Sequence, residues 1–303
     1  MYAIECRELS KSYQYRQKKF AVQHLNLQVA PRQVYGFLGQ NGAGKTTTIR
    51  MLLDLIRPSQ GSAYIMGQPV WRNPAALQQV GALIEGASFY PYLSAWDNLE
   101  VLGRTFGSYD PARTQRMIEL VGLQGRERQR VGKFSTGMKQ RLGIAAAILH
   151  DPAVVILDEP GNGLDPAGIH ELRSFMRRLV EEDGKTVFFS SHQLAEVQLV
   201  CDRVAIINNG RLIAEGSVQE LLHQSGASQV LMQVAPLDKA QSALSERWKS
   251  KLQEDGLLVT APQAEIPAII RALVAAEVDI FGVQPQQNTL ESIFLRMTEG
   301  ATS

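Results

Sequence analysis

The chain has 303 residues, 45% of them hydrophobic and 20% charged, enough to bury one large core or two smaller ones, so two domains of unequal size are expected. A formal net charge of +1, with no long lysine or arginine block, removes any bulk electrostatic attraction to nucleic acid, and no nucleic-acid partner is expected. No apolar run approaches the roughly 18 residues of a membrane span, and the start, MYAIECRELSKSY, has no signal-peptide core, so a cytoplasmic chain is expected.

Residues 2–9 and 25–30 alternate in the manner of strands, with a charged, irregular turn from Gln14 to Lys19 between them. Cys6 in the first pattern and Cys201 near the start of a later one read as small buried thiols rather than a disulfide or a metal site. Tyr13 suits ordinary packing, but its π-face could also stack on a nucleotide base. The apolar run Val34–Leu38 then leads into Gly39–Thr47, GQNGAGKTT, and a helical pattern follows from Thr48. Gly39–Thr46 fits G-x-x-x-x-G-K-[ST]. In that pattern Gly39, Gly42 and Gly44, with Asn41 and Ala43 between them and Thr47 beyond, let backbone N–H groups close around phosphate oxygens; Lys45 reaches the terminal phosphates and the Thr46 hydroxyl ligates Mg²⁺. The positive end of the following helix points at the same phosphates.

A turn at Pro58–Gly61 and a short strand at Ser62–Gly67 precede a buried strand, Val80–Ile84, which ends on Glu85. A carboxylate there is either solvated and idle or, if the strand ends at the phosphate loop, within reach of Mg²⁺ or an attacking water. Ala87–Leu93, three aromatics around Pro91, is either a partner-binding patch or core filling. Ser94-Ala95-Trp96-Asp97 resembles a capping box and opens a helix toward Gly107, and Pro111 starts a second helix to about Val121. Ser135 caps a third helix through Leu149, whose start, with Gly137, is a second anion site, so a helical insertion spans about residues 90–150.

Val154–Leu157 has the unbroken apolar run of a parallel strand buried on both faces, and it ends in Asp158-Glu159-Pro160. Two carboxylates at the carboxyl end of a central strand lie where open α/β sheets bind ligands. Asp158 can hold Mg²⁺ through water, and Glu159 can orient and deprotonate the water that attacks a γ-phosphate. Gly161–Pro166 turns into a helix to about Glu182, Thr186–Ser190 is another buried strand, and His192 just beyond it is placed to hydrogen-bond γ-phosphate. Residues 203–208 and 211–215 form a hairpin around Asn208-Asn209-Gly210. From Ser225–Ser228 the pattern changes: Val230–Val234 alternates, Pro236–Glu254 is polar and helical, Leu257–Val259 is a strand, Glu265–Ala276 a helix, Val278–Val283 a strand, and Thr289 caps a last helix.

Phosphate loop, Ser-Thr-Gly helix start, Asp-Glu pair, Gly-Leu-Asp turn and Ser-His strand end stand in an order that resembles the ATP-binding subunits of ABC transporters, over about residues 1–225. The resemblance implies an α/β P-loop NTPase (ABC ATPase) fold with a helical subdomain and an N-terminal antiparallel β subdomain, plus a small C-terminal α+β domain over 226–303. It implies ATP and Mg²⁺ as cofactors, Tyr13 as the adenine-stacking aromatic, Gly39–Thr46 as the Walker A loop and Phe134–Met138 as the signature motif. It further implies Asp158 as the Walker B aspartate, Glu159 as the catalytic glutamate, Asp165 as the D-loop aspartate and His192 as the switch histidine. In this family two such domains clamp two ATP molecules, each between the Walker A loop of one and the signature of the other.

Three departures stand out. The usual L-S-G-G-Q is FSTGM here, keeping Ser135 and Gly137; Glu85 replaces the usual glutamine, an extra negative charge near the metal; and Gly161 replaces the usual threonine. The Glu85 context LIEGASFYPYLSAWDNL and the S-x-G-M-K-Q-R-L wording resemble the bacitracin-resistance and lantibiotic-immunity exporters. That branch implies a separate membrane permease as partner, a second copy or a sister ATPase to complete the dimer, and a peripheral position on the cytoplasmic face of the membrane. The C-terminal L-E-x-x-F-L pattern matches similar exporter tails that support dimerisation or regulation. Cargo is open among peptide antibiotic, other drug, lipid, polysaccharide and ion. The competing assignment, a soluble ABC ATPase acting on nucleic acid or ribosomes, is disfavoured by the single ATPase domain and the near-neutral charge. A small-molecule kinase has no use for the signature helix.

Overall fold

The structure, a computed structural model, describes residues 1–13, 20–86, 88–107, 109–224, 229–245, 247–253, 255–286 and 289–299. The expected turn Gln14–Lys19, Ala87 of the aromatic stretch and the change of pattern at Ser225–Ser228 lie outside the described residues. Two compact units emerge, Met1–Val218 and a second from Gln219 onward.

The first unit opens with β1 (Ile4–Ser12), β2 (Phe20–Val29), β3 (Val34–Leu38) and α1 (Lys45–Leu52). After β4 (Gln60–Ile65), the two-residue β5 (Gln68–Pro69), the single turn α2 (Pro74–Leu77) and β6 (Val80–Leu83), three helices intervene: α3 (Ala95–Thr105), α4 (Pro111–Leu120) and α5 (Thr136–Ile148). The chain returns as β7 (Val154–Leu157), α6 (Pro166–Glu181), β8 (Thr186–Ser191), α7 (Leu194–Gln198), β9 (Arg203–Asn208) and β10 (Arg211–Ser217), and α8 (Val218–Gln224) follows.

Two sheets result. β2, β1, β4 and β5 form an antiparallel sheet, and a second sheet runs β10-β9-β3-β8-β7-β6, parallel throughout except for the β9–β10 hairpin. Every residue of β3, β7 and β8 is buried, which is why β3 and β7 read as unbroken apolar runs rather than alternating ones. One core joins the sheets: Ile4, Leu25, Ile49, Leu52, Phe37 and Phe188 belong to a single buried cluster. β1 reaches Ser12, beyond the expected residue 9, because register shifts after Cys6, Leu9 and Lys11 break its alternation. Cys6 and Cys201 are free and buried as expected, and burial pushes the Cys6 thiol up to about 12.

In the second unit, β11 (Gln229–Ala235), α9 (Leu237–Leu244), β12 (Lys249–Gln253), β13 (Gly256–Thr260), α10 (Ile266–Ala275) and β14 (Asp279–Gln286) precede α11 (Leu290–Glu299). The sheet order β12-β13-β11-β14, antiparallel at every pairing, is that of a split βαβ, βαββαβ arrangement. Val230, Met232, Leu257 and Val259 share a core with Ala240, Leu244 and Trp248. The expected helix over Pro236–Glu254 is half correct. The helix stops at Leu244, and Lys249-Ser250-Lys251-Leu252-Gln253 pairs with β13 as an edge strand. Lysines on an edge strand discourage further pairing, and the same lysines made the segment read as a polar helix.

Candidate active site

β3 delivers the glycine-rich loop to the carboxyl end of the parallel sheet, and α1 starts directly from it at Lys45, capped by Gly44. Gly44 has φ +111°, and a Cβ there would stand 2.5 Å from the Ala21 carbonyl oxygen; at Gly39 it would stand 2.5 Å from the Ile207 carbonyl oxygen. Only glycine fits these two positions. Lys45, only 6% exposed, donates to the carbonyls of Gly39 (2.6 Å) and Gln40 (3.2 Å). Tyr13, exposed, sits beside the end of the loop with its hydroxyl 3.5 Å from Thr47 Oγ1, and the Lys11 ammonium lies 5.4 Å from its ring centroid. Asn41 and Gly42 are exposed at the loop's crest.

The two carboxylates meet this loop from β7. Thr46 Oγ1 donates to Asp158 Oδ2 at 2.8 Å, and Lys45 Nζ lies 3.0 Å from Glu159 Oε1. His192, just past β8, places Nδ1 2.7 Å from Glu159 Oε2. Glu159 has φ +48°, a conformation a non-glycine residue keeps only where its surroundings hold it. One holder is Ser190 on β8, whose Oγ accepts from the Glu159 N–H at 2.9 Å and donates to Asp158 Oδ1 at 2.6 Å. Sequence reading passed over Ser190; its only signal was a hydroxyl at the end of a buried strand, shared with Thr186 and Ser191. Thr46 and Asp158 give two adjacent hard oxygen donors, which suits Mg²⁺, an ion that takes one or two protein oxygens and completes its shell with phosphate and water. Among the described residues no group of three or more His, Cys, Asp or Glu side chains could hold a metal by itself.

Glu85 is not brought into this network. It stands just beyond β6 with φ +55°, its carboxylate paired with Arg50 of α1 and largely exposed. Ser135 caps α5, accepting from Met138 N–H at 3.2 Å, and Asp165 caps α6, accepting from Gly168 N–H at 2.8 Å; both are exposed. The start of α5 and the turn before α6 lie close together: a Cβ on Gly137 would stand 3.2 Å from Leu164 Cδ2, and one on Gly163 would stand 3.3 Å from Thr136 Cγ2. Gln140 of α5 donates to the Pro160 carbonyl at 3.1 Å, which ties the signature helix to the residue after Glu159. Sequence reading assigned Gln140 no distinct role.

A cleft of about 1130 Å³ opens beside β6, walled by Ile84, Phe89, Leu102, Phe106, Ala147 and His150. His150 Nε2 lies 3.1 Å from the Val80 carbonyl oxygen, its ring packs 4.8 Å from Phe106, and burial lowers its pKa. Tyr90 and Tyr92 stand exposed near this wall, their ring centroids 5.8 Å apart, so the aromatic stretch is surface and not core filling.

A glycine-rich loop opening a helix, a lysine on it and an Asp-Glu pair from a parallel strand one removed in the same sheet define a P-loop nucleoside triphosphatase. Residues 22–162 match the ABC transporter family. Bacitracin transport ATP-binding protein BcrA of Bacillus licheniformis is 36% identical over 304 residues, 99% of this chain and 98% of that protein. The uncharacterised ABC transporter ATP-binding protein YhcH of Bacillus subtilis is 38% identical over 278 residues, 91% of this chain and 90% of that protein. A solved ATP-binding subunit of an ABC transporter superposes with a TM-score of 0.65 at 29% identity, covering 73% of this chain and 92% of that one. The chain belongs to the ABC transporter ATP-binding proteins. It is a nucleotide-binding subunit and an ATPase of the ABC transporter type.

Proposed function

We propose that this subunit powers a bacterial exporter whose transmembrane path lies on a separate permease chain, and that its cargo is a peptide antibiotic or another drug. The observation that carries the reading is likeness to a bacitracin transport ATP-binding protein along 99% of the chain, together with an assembled Lys45–Glu159–His192 cluster. The N–H groups of Gly39–Thr47 and the Lys45 ammonium bind the phosphates, and Tyr13 stacks on the base. Thr46 and Asp158 would hold Mg²⁺, which would supply positive charge to the phosphates. Glu159 takes the proton of the attacking water, and His192 fixes Glu159 through its Nδ1 contact while its other ring nitrogen is free to turn toward γ-phosphate.

The second half of each site comes from another ATPase domain, a second copy or a sister chain, which presents Ser135 and Gly137 with Asp165 at the seam. Residues 1–225 form the ATPase domain, with its helical insertion at about 90–150, and residues 226–303 an accessory domain that supports dimerisation or regulation. The cleft beside β6, with its apolar wall and the exposed Tyr90 and Tyr92, seats the permease, and the Glu85–Leu93 segment passes on the motion. No helix among the described residues is long and apolar enough to cross a membrane, which fits a peripheral position on the cytoplasmic face.

The test is affinity capture of the tagged chain from detergent-solubilised native membranes, with co-purifying proteins identified by mass spectrometry. A polytopic membrane protein in equal amount is the expected result. Recovery of the chain with ribosomal or nucleic-acid proteins instead would overturn the transporter reading and leave the ATPase in place.

A further inference from the structure

The two carboxylates of the site belong to consecutive residues, yet they have to face different targets. Asp158 points to Thr46, whereas Glu159 turns to Lys45 and His192. Backbone geometry alone does not settle this divergence, because Glu159 sits at φ +48°, where a non-glycine residue is held only by its neighbours. The side chain that touches both residues is Ser190. Parallel pairing sets it there: Leu157 of β7 stands opposite Phe189 of β8, and on the other flank Phe37 of β3 stands opposite Ser190. Ser190 therefore lies between the strand that carries the phosphate loop and the strand that carries the carboxylates. It is fully buried, so water does not substitute for its contacts.

A serine hydroxyl has one proton to give and lone pairs to receive with. Here the proton goes to Asp158 Oδ1, and a lone pair takes the Glu159 N–H. With Oδ1 held by Ser190 and Oδ2 by Thr46, the Asp158 carboxylate has a fixed plane. With its N–H held, Glu159 keeps the turn that aims its side chain at Lys45 and His192. We propose that Ser190 is a positioning residue for ATP hydrolysis, a single hydroxyl that sets the orientation of both the metal-binding and the water-activating carboxylate. The inference rests on the roles assigned above to Asp158 and Glu159. It acts through them and places Ser190 in contact with neither nucleotide nor water.

The experiment compares Ser190→Ala, Ser190→Cys and Ser190→Thr in the full chain, reading kcat and KM for ATP, the Mg²⁺ concentration that gives half-maximal rate, and ATP-analogue binding. Cysteine keeps the size and loses the strong hydrogen bonds; threonine keeps the hydroxyl. The expected result is a fall in kcat of about tenfold or more for alanine and cysteine, with KM changed little and the Mg²⁺ requirement raised, as for the loss of hydrogen bonds to a charged group. Threonine is expected to recover most of the rate. The proposal is overturned if alanine or cysteine matches the native rate and Mg²⁺ requirement. It is also overturned if all three variants lose analogue binding and melting temperature together, since that pattern marks a purely structural serine. Glu159→Gln, measured alongside, separates the two levels: if it still turns over at the native rate, the assignment of Glu159 has failed irrespective of what Ser190 does.

Discussion

The phosphate-loop side of this site and its signature side are built to different standards. On the first, Lys45 and Asp158 are each only 6% exposed, and every functional side chain has a partner from a distant part of the same chain: Lys45 with Glu159, Thr46 with Asp158, Glu159 with His192. On the second, Ser135 and Asp165 are exposed, and their hydrogen bonds are caps of their own helices. A buried charge needs its partners in place, so the first side has to be finished within one chain. A helix start that keeps its cap and faces solvent is instead suited to meet a phosphate brought by another surface. On the proposed reading the contrast is the division of labour in a shared site, chemistry on one face and closure on the other.

The largest expected effect comes from the finished side. Glu159→Gln preserves shape and removes the base, so turnover should fall on the order of 10²- to 10⁴-fold, the usual contribution of a general base. Mg-ATP binding should survive, because Lys45 and Thr46 are untouched, and a dimer should accumulate on size-exclusion chromatography. A variant hydrolysing at the native rate removes Glu159 from its role and with it the functional meaning of the buried cluster.

Ser135→Arg strikes the other side. A purified homodimer should lose activity by at least about tenfold, in keeping with hydrogen bonds to a charged group, while the monomer binds ATP as before. Equilibrium binding of a fluorescent analogue, set beside steady-state hydrolysis, makes the distinction. If activity persists, the signature side does not close on ATP, and the contrast drawn above is one of burial alone.

What the sequence disclosed about the two sides follows from how local each device is. The phosphate loop is legible because Gly39, Gly44, Lys45 and Thr46 are fixed by one strand-to-helix turn, where spacing and chemistry are the same thing. Asp158 and Glu159 were legible by type and by their place after an apolar run, although their partners were not. Ser190 and Gln140 were illegible because their roles come from register and packing: β8 aligns beside β7, and α5 packs beside the turn after Glu159. Glu85 was expected to reach the metal, and the structure instead pairs it with Arg50, a cation whose place opposite β6 depends on how α1 lies on the sheet. In the second unit, β12 was hidden because an edge strand guarded by Lys249 and Lys251 has the composition of a solvated helix.

Gln140 is the point at which the two sides touch, and it offers the smallest and most discriminating perturbation. Its amide donates to the Pro160 carbonyl, so displacement of the signature helix is felt one residue from Glu159 in the same chain. In a dimer, α5 would close one ATP while Glu159 serves the other, and this bond would report the state of one site to its neighbour. Gln140→Ala removes one neutral hydrogen bond at a half-buried position, a change that corresponds to about 2- to 10-fold in rate. The Hill coefficient for ATP should fall toward unity while analogue binding by the monomer stays as it was. A lowered rate with undiminished cooperativity would make Gln140 a local brace for the turn, and the two sides would then communicate by another route.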